Sequence, residues 1–216
     1  MDVLSGNDCV DLVKAMQKKL DAYRDKLSAL DAATGDGDHG INITTALAEA
    51  VHDVEQLDDP NPADVFKTTG MALINKMGGA SGAIFGSFFR NGSKAIKGED
   101  HINLPKLLAF FEAGLAAVQK RGNAQLGDKT LVDALSPAIQ ALQYGAQHEM
   151  SIAEALSAAA DAAHVGAEST AKLVAKFGRA KFLGERSLGH QDPGAVSMSL
   201  ILKAWSEQLN PEGSQT

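Results

Sequence analysis

Hydrophobic residues recur at alternating steps of three and four positions along most of this chain, which is the spacing of amphipathic helices. The stripe is clearest near the start, where it consists of Val13, Met16, Leu20, Tyr23, Leu27 and Leu30. No segment shows convincing alternation of apolar and polar residues, so no β-strand is predicted. The pattern indicates an all-α fold.

Capping and helix-breaking residues divide this pattern into eight predicted helices. Asn103 can cap the fifth helix, and Ser151 with Glu154 forms a capping-box pattern for the seventh. Pro60 and Pro62 separate the second helix from the third. The predicted helices span about 8–32, 41–56, 62–78, 79–96, 103–121, 131–144, 151–177 and 195–209.

Short connections make successive helices antiparallel neighbours, so these helices should form an up-and-down antiparallel barrel or bundle in one domain, residues 1–216. In that topology the first, third, fifth and seventh loops lie at the same end. They carry G-D-G-D-H-G, G-G-A-S-G, R-G-N-A-Q-L-G-D-K-T and the long Arg/Gly/Asp segment 178–194. The other loops are typical of solvated connections. This segregation predicts a single binding site at one rim.

The first of these loops concentrates three carboxylates, Asp31, Asp36 and Asp38, within eight residues. Neighbouring carboxylates repel each other by roughly 1 kcal/mol or more at surface dielectric, so a cation is expected among them. Oxygen ligands with open positions suit Mg²⁺ when substrate phosphates complete its shell, and this set can hold two such ions. The alternative is a solvated Asp/Gly turn that caps the next helix.

Three familiar motifs are excluded for the same stretch. G-D-G-D-H-G matches the dinucleotide-binding pattern G-x-G-x-x-G, but a helical pattern rather than a strand precedes it. An EF-hand counted from Asp36 would have Leu47 at its twelfth position, where the motif requires glutamate. The chain contains no Gly-Lys dipeptide, so it has no Walker A loop.

The next two loops offer groups for an anionic ligand. Gly79, Ala80 and Ser81 open the fourth predicted helix, where free backbone N–H groups favour an anion. The alternative is an ordinary helix start capped by Ser81. Thr130 is open to the same two interpretations at the start of the sixth helix, and Leu131 fits either the core or a contact with a base.

The remaining candidates for the binding site are Arg179, His39 and Asp192. Arg179 can neutralise charge on a transferring phosphoryl group, or it is a surface arginine in a mobile loop. His39 could bind phosphate, orient a carboxylate or be phosphorylated, and we expect positioning. Asp192 could hold the ring of His190 or cap the last helix, and we expect the cap.

Composition limits the classes of partner and the cellular compartment that are expected for this chain. The net charge of -7 has no long basic stretch set against it, which argues against nucleic acid as the partner. The single cysteine, Cys9, excludes a disulfide framework and fits a small apolar residue on the first helix. The start lacks a basic leader, and no apolar run reaches the length of a membrane span, so a cytoplasmic protein is expected.

At four motifs in order, the sequence resembles the nucleotide-binding L subunit of dihydroxyacetone kinase, the DhaL family. The motifs are G-D-G-D-H-G-I-N, G-G-A-S-G, G-D-K-T and L-G-E-R-S-x-G-H-Q-D-P-G, and the likeness spans nearly the whole chain. The resemblance implies an eight-helix barrel with ADP or ATP and two Mg²⁺ at one rim, the metals on Asp31, Asp36 and Asp38. The positions that match nucleotide contacts in that family are His39, Gly40, Ile41, Asn42, Ala80, Ser81, Gly122, Leu131, Arg179, Asp192, Pro193 and Gly194.

The same resemblance implies partner proteins. It favours a phosphotransferase-system kinase, in which an M subunit carrying phosphohistidine phosphorylates bound ADP and the phosphoryl passes to dihydroxyacetone on a K subunit. One alternative is an ATP-dependent kinase subunit for dihydroxyacetone or another short ketose. The other is a nucleotide-loaded module that reports phosphorylation state to a transcriptional regulator.

Overall fold

The structure is a computed structural model, which describes residues 2–210. Within that range the chain forms nine α-helices. These are α1 (Gly6–Ala22), α2 (Arg24–Ala32), α3 (His39–Glu55), α4 (Pro62–Lys76), α5 (Gly79–Ala95), α6 (Leu104–Gly122), α7 (Val132–Gln147), α8 (Ile152–Ser169) and α9 (Pro193–Leu209). Two short strands, β1 (Leu4–Ser5) and β2 (His101–Ile102), pair antiparallel and were not expected from the sequence.

The helices close into a ring around one hydrophobic core. Each of α3 to α9 packs against the next, and α9 returns to pack against α1, which also contacts α3. Buried aromatic side chains fill the centre, and they are Phe66, Phe88, Phe89, Phe110, Phe111 and Trp205. The Phe66 ring lies 4.6 Å from that of Phe110 and 5.4 Å from that of Trp205. The all-α, up-and-down prediction is confirmed.

Side-chain caps begin several of these helices where the sequence indicated. The Asn103 side chain accepts the Lys106 N–H at 3.1 Å. Ser151 and Glu154 form the predicted capping box, in which Glu154 accepts the Ser151 N–H at 2.9 Å. Because each cap satisfies N–H groups that have no partner inside the helix, these residues fix where the helices start.

The first predicted helix, 8–32, is wrong as a single element because it is interrupted at Tyr23. Tyr23 has φ -107° and ψ 5°, and α2 resumes at once, with the Leu27 N–H donating to the Tyr23 carbonyl at 2.9 Å. Neither glycine nor proline causes the break. The bend instead accompanies close packing of α2 against the start of α3, where Gly40 lies directly on the Arg24 carbonyl.

The seventh predicted helix also ends earlier than expected, at Ser169 rather than near 177. Thr170 begins a short 3₁₀ turn, and Leu173 is extended. The Thr170 side chain donates to the Ala167 carbonyl at 2.5 Å and accepts the Asp192 N–H at 2.9 Å. The first bond is local, whereas the second is a tertiary contact that draws the chain out of the helix. The last connection therefore runs from 170 to 192 and contains 3₁₀ turns at Arg179–Ser187.

Both ends of the described chain lie at the same end of the ring. A side chain added at Gly6, at the start of α1, would overlap the Pro60 carbonyl in the α3–α4 connection. At the end of α9, Asn210 donates to the Ala153 carbonyl in the first turn of α8 at 3.1 Å. Each contact involves a connection that the sequence analysis assigned to the solvated end.

The helices are amphipathic, with one side packed on the core. In α8 the buried residues are mainly alanines spaced three or four apart, including Ala155, Ala159 and Ala163, whereas Glu154 and His164 face outward. Cys9 is buried on α1, as expected. Among residues 2–210, no helix combines the length and the apolar character that crossing a membrane requires.

Candidate functional site

A cavity of about 1120 Å³ lies at the end of the ring where the first, third, fifth and seventh predicted loops meet. Most of the residues singled out in the sequence line it. They are Asp31, Asp36, Asp38, His39, Asn42, Ala80, Ser81, Gly122, Thr130, Leu131, Arg179, Asp192, Pro193 and Gly194. Residues up to 163 positions apart in the sequence, Asp31 and Gly194, therefore share one concave surface.

Two of the predicted positions, Gly40 and Ile41, do not line the cavity. Gly40 is buried against α2, where an added Cβ would overlap the Arg24 carbonyl and lie 2.6 Å from Ser28 Oγ. The Ile41 side chain is largely exposed. Gly40 thus serves helix packing, and the structure gives Ile41 no side-chain contact with the cavity.

The three aspartates form a compact group of oxygen donors. One ligand atom from each of Asp31, Asp36 and Asp38 lies within 4.8 Å of the others. The alternative of a simple capping turn is only partly realised, because Asp38 precedes α3 without a side-chain capping bond, while Asp31 accepts the His39 N–H at 3.3 Å. Clustered carboxylates that are open to a cavity fit a hard divalent cation such as Mg²⁺.

The start of α5 presents uncapped backbone to the same cavity. Gly78 and Gly79 have φ of +68° and +56°, a left-handed conformation that favours glycine. No side chain caps the helix, and Ser81 lies in its first turn rather than at the cap, so the capping alternative for Ser81 is wrong. The free N–H groups and the helix dipole make this a suitable place for a phosphate.

The loop before α7 is held by Asp133. Its two carboxylate oxygens accept the Gly127 N–H at 2.6 Å and the Thr130 N–H at 2.8 Å. The Thr130 hydroxyl accepts the Val132 N–H at 3.2 Å, at the start of α7. Leu131 belongs to the hydrophobic core and also lines the cavity, so its place in the core is confirmed, and its contact with a base stays a prediction.

Arg179 links the last loop to the first. Its guanidinium forms an ion pair with the Asp36 carboxylate, although 65% of the arginine side chain is exposed. Phe182, three residues later, is 78% exposed and also lines the cavity. The pairing places a positive charge beside the carboxylate group, in the wall of the same cavity.

His39 is nearly enclosed, with 5% of its surface exposed. Its Nε2 atom lies 2.8 Å from the Ser197 hydroxyl. Burial lowers the pKa of His39, and the nearby carboxylates of Asp31 and Asp38 oppose that shift. A neutral imidazole that is held by Ser197 suits the positioning role, and phosphorylation of His39 remains an untested prediction.

Comparison with known proteins agrees with this architecture. The model of the DAK2 domain family matches residues 33–207. The chain is 41% identical over 200 residues to the PEP-dependent dihydroxyacetone kinase 2, ADP-binding subunit DhaL, of Listeria innocua, with 92% of each chain covered. It is 38% identical over 177 residues to the corresponding ADP-binding subunit of Escherichia coli, covering 82% of this chain and 84% of that one. The chain belongs to the DhaL family.

A solved structure shows the same fold inside a longer protein. The dihydroxyacetone kinase of C. freundii in complex with AMP-PNP and Mg²⁺ superimposes with a TM-score of 0.73 and 31% identity over 94% of this chain. The match covers 34% of that kinase, so this chain spans about a third of its length. The family resemblance seen in the four motifs therefore extends to the three-dimensional structure.

Asp192 in this DhaL chain caps α9, as the sequence predicted. Its carboxylate accepts the Ala195 N–H at 2.7 Å. Burial raises the pKa of Asp192 to about 7, against the opposing effects of that hydrogen bond and of the Lys129 ammonium. A carboxyl group with a pKa near neutrality therefore lies at the wall of the cavity.

Sequence reasoning missed three lysines that line the DhaL cavity, Lys76, Lys129 and Lys181. Lys76 pairs with Glu49 at 2.9 Å across α4 and α3. Lys129 is buried, and burial lowers its pKa while Asp192 and Asp133 oppose that effect. The signal for Lys129 was its place in the G-D-K-T motif, directly before the candidate Thr130.

Proposed function

We propose that this chain is the nucleotide-binding subunit of a phosphotransferase-system dihydroxyacetone kinase. The observation that carries the proposal is the meeting of the three-aspartate group, the open start of α5 and Arg179 at one cavity. The volume of about 1120 Å³ is sufficient for a nucleotide with its metal ions. The relatives of similar length are named as PEP-dependent, ADP-binding subunits.

The proposed reaction has two transfers. In the first, the phosphoryl group leaves the phosphohistidine of an M subunit and joins the terminal phosphate oxygen of bound ADP, giving ATP. In the second, a hydroxyl oxygen of dihydroxyacetone, which a K subunit holds, attacks the γ-phosphorus of that ATP. The products are dihydroxyacetone phosphate and ADP, which stays on the chain for the next cycle.

Each loop has a part in this scheme. Asp31, Asp36 and Asp38 would hold two Mg²⁺ ions, which neutralise phosphate charge when bound. Backbone groups of Ala80 and Ser81 would bind phosphate oxygens. The Arg179 guanidinium would stabilise charge on the transferring group, because a planar, permanently charged group can donate to two phosphate oxygens.

The remaining predicted contacts would hold the nucleoside. They comprise His39, Asn42, Gly122, Thr130, Leu131, Asp192, Pro193 and Gly194, all at the cavity wall. Leu131 is the apolar member of this set and is suited to a base. Gly40 and Ile41 could contribute only through their backbone, at the start of α3.

An ATP-dependent kinase subunit is the second candidate. The observation that favours it is the AMP-PNP and Mg²⁺ named for the similar kinase of C. freundii, because AMP-PNP is an analogue of ATP. This candidate requires a K subunit but no M subunit. Contact with a transcriptional regulator and a cytoplasmic location remain predictions under either candidate.

Replacing the metal-binding carboxylates tests the proposal. Asp36→Ala and Asp38→Ala should each lower phosphoryl transfer in a mixture of K, L and M subunits by at least about a hundredfold, since transition-state charge loses its stabilisation. Asp58→Ala, in the α3–α4 connection at the opposite end, is the matched control and should leave the rate unchanged.

Either active-site variant working at the wild-type rate would contradict the proposal. Omission of the M subunit separates the two candidates in the same assay. Transfer from phosphoenolpyruvate through M supports the phosphotransferase kinase, whereas turnover with added ATP and no M supports the ATP-dependent kinase.

A further inference from the structure

Lys129 is the one lysine or arginine whose side chain is buried within residues 2–210, with 3% of its surface exposed. Its backbone has φ +62°, a left-handed conformation that non-glycine residues rarely adopt and that surrounding structure must maintain. Burial of an ammonium group is unfavourable unless its protons are hydrogen-bonded. The partners of this lysine therefore explain why the loop holds it inside.

Those partners are backbone carbonyls at the two ends of the last connection. The Lys129 ammonium donates to the Thr170 carbonyl at 2.6 Å and to the His190 carbonyl. Thr170 follows α8, and His190 comes two residues before Asp192, the cap of α9. One side chain thus fastens both ends of the segment 170–192 to the loop that precedes α7.

The two joined segments supply different parts of the cavity. The segment 170–192 carries Arg179, whereas the loop before α7 carries Thr130 and Leu131. The carboxylates of Asp192 and Asp133 face the ammonium and offset its charge. Lys129 therefore lies where the two segments meet, and the position of Arg179 relative to Thr130 and Leu131 depends on this contact.

A second contact between the same two segments lies at the surface. The Lys176 ammonium donates to the Asp128 carboxylate at 2.7 Å, with 64% of the lysine side chain exposed. Ion pairs with an exposed partner contribute little to stability. This contact provides a natural control, because it joins the same segments through a lysine that is mostly exposed, although Asp128 itself is buried.

We infer that Lys129 is a positioning residue for nucleotide retention, whose ammonium holds the segment 170–192 closed over the cavity. The inference rests on the proposed nucleotide site, but not on the identity of the phosphoryl donor. Loss of the ammonium should free the segment that bears Arg179 and let the nucleotide leave faster, while the helical ring stays intact.

The test measures release of a fluorescent N-methylanthraniloyl-ADP in the presence of Mg²⁺, chased with excess ADP in a stopped-flow instrument. Lys129→Met should release it at least about tenfold faster, the scale of one lost charge-assisted hydrogen bond. Lys129→Arg keeps the charge and donors and should show a smaller increase. Lys176→Met should change the rate by no more than about twofold.

Limited trypsin digestion adds an independent readout. Cleavage is scored after Arg179, Lys181 and Arg186, which are exposed sites that both variants keep. Lys129→Met should be cut faster there, and Lys176→Met should not. A merely structural role would lower the melting temperature without changing release or local cleavage.

The possible results distinguish failure of the proposed function from failure of the inference about Lys129. A wild-type chain that does not bind the fluorescent nucleotide would contradict the proposed function itself. Wild-type release by Lys129→Met, or an equal effect of Lys176→Met, would overturn only the inference. If Lys129→Met does not fold by circular dichroism, Lys129→Gln is measured instead, and failure of both to fold would assign Lys129 to the global fold and overturn the inference.

Discussion

Two features of the environment of Asp192 favour opposite charge states of its carboxyl group. Its bond to the Ala195 N–H favours the ionised carboxylate, whereas burial favours the protonated form and raises the pKa from 3.8 to about 7. The folded protein therefore binds a proton at Asp192 between these two values, while the unfolded chain does not. This group contributes stability below about pH 4 and loses that contribution as the pH rises to 7.

The expected result is a pH dependence that Asp192→Asn removes. As the pH rises from 5 to 8, the free energy of unfolding of the wild type should fall relative to the variant, by at most about 1.4 kcal/mol per pH unit. Asparagine is an equally good helix cap, so α9 should remain intact. Urea unfolding at several pH values measures this difference, and parallel profiles for the two proteins would contradict it.

For single residues, some structural roles were predictable from the sequence and others were not. Asp before Pro-Gly is a readable helix start, so the cap at Asp192 was predictable. The buried ammonium of Lys129 was not, because a lysine in a glycine-rich loop is ordinarily solvated. Its acceptors are carbonyls 41 and 61 residues away, and no local pattern encodes them.

Among the elements, the crossing of α2 and α3 depends on Gly40. An added Cβ would overlap the Arg24 carbonyl and crowd Ser28. Gly40→Ala should therefore destabilise the protein by about 1–3 kcal/mol. Helix propensity alone predicts the opposite sign, because alanine is the better helix former.

Thermal and urea unfolding distinguish the two effects. Thr45→Ala, on the exposed side of α3, is the control and should change stability by no more than about 0.5 kcal/mol. A stabilised Gly40→Ala variant would show that the two helices can separate without cost. In that case the bend at Tyr23 would need another explanation.

Helix starts were predicted better than helix ends for a physical reason. A cap such as Asn103 or Ser151 lies within three residues of the N–H that it satisfies, so the signal is local. The end of α8 depends on bonds from Thr170 to Asp192, and the break at Tyr23 depends on contact with α3. Such tertiary causes leave no periodic trace in the sequence.

For the whole molecule, the convergence of the loops followed from the predicted antiparallel order of successive helices. The break at Tyr23 does not disturb it, because α2 continues after a single residue and the chain still reaches Asp31 at the same rim. The direction of each chain segment was thus predictable from the order of the helices. The shape of the cavity was not, because the folded segment 170–192 forms part of its wall.

A ligand that touches all four loops should stabilise the entire ring. Removal of Mg²⁺ and nucleotide should lower the melting temperature by roughly 8–16 °C, as expected for about 4 kcal/mol of linkage in a chain of this size. Calorimetry before and after stripping measures the change, and chromatography with mass analysis identifies the released nucleotide.

Re-addition of Mg²⁺ and ADP should restore the wild type but not Asp36→Ala. Nearly stoichiometric ADP, present without being added, would support a resident cofactor and the phosphotransferase kinase. An empty site that still responds to ATP would support the ATP-dependent candidate. An unchanged melting temperature with either nucleotide would contradict a nucleotide site.

The contacts of Gly6 with Pro60 and of Asn210 with Ala153 place both ends of the described range, residues 2–210, away from the cavity. A second protein, fused genetically to either end, would lie on the far side of the ring and leave the entrance of the cavity accessible to other macromolecules. The same geometry lets evolution or an engineer tether this module within a larger polypeptide without altering how its ligand enters and leaves.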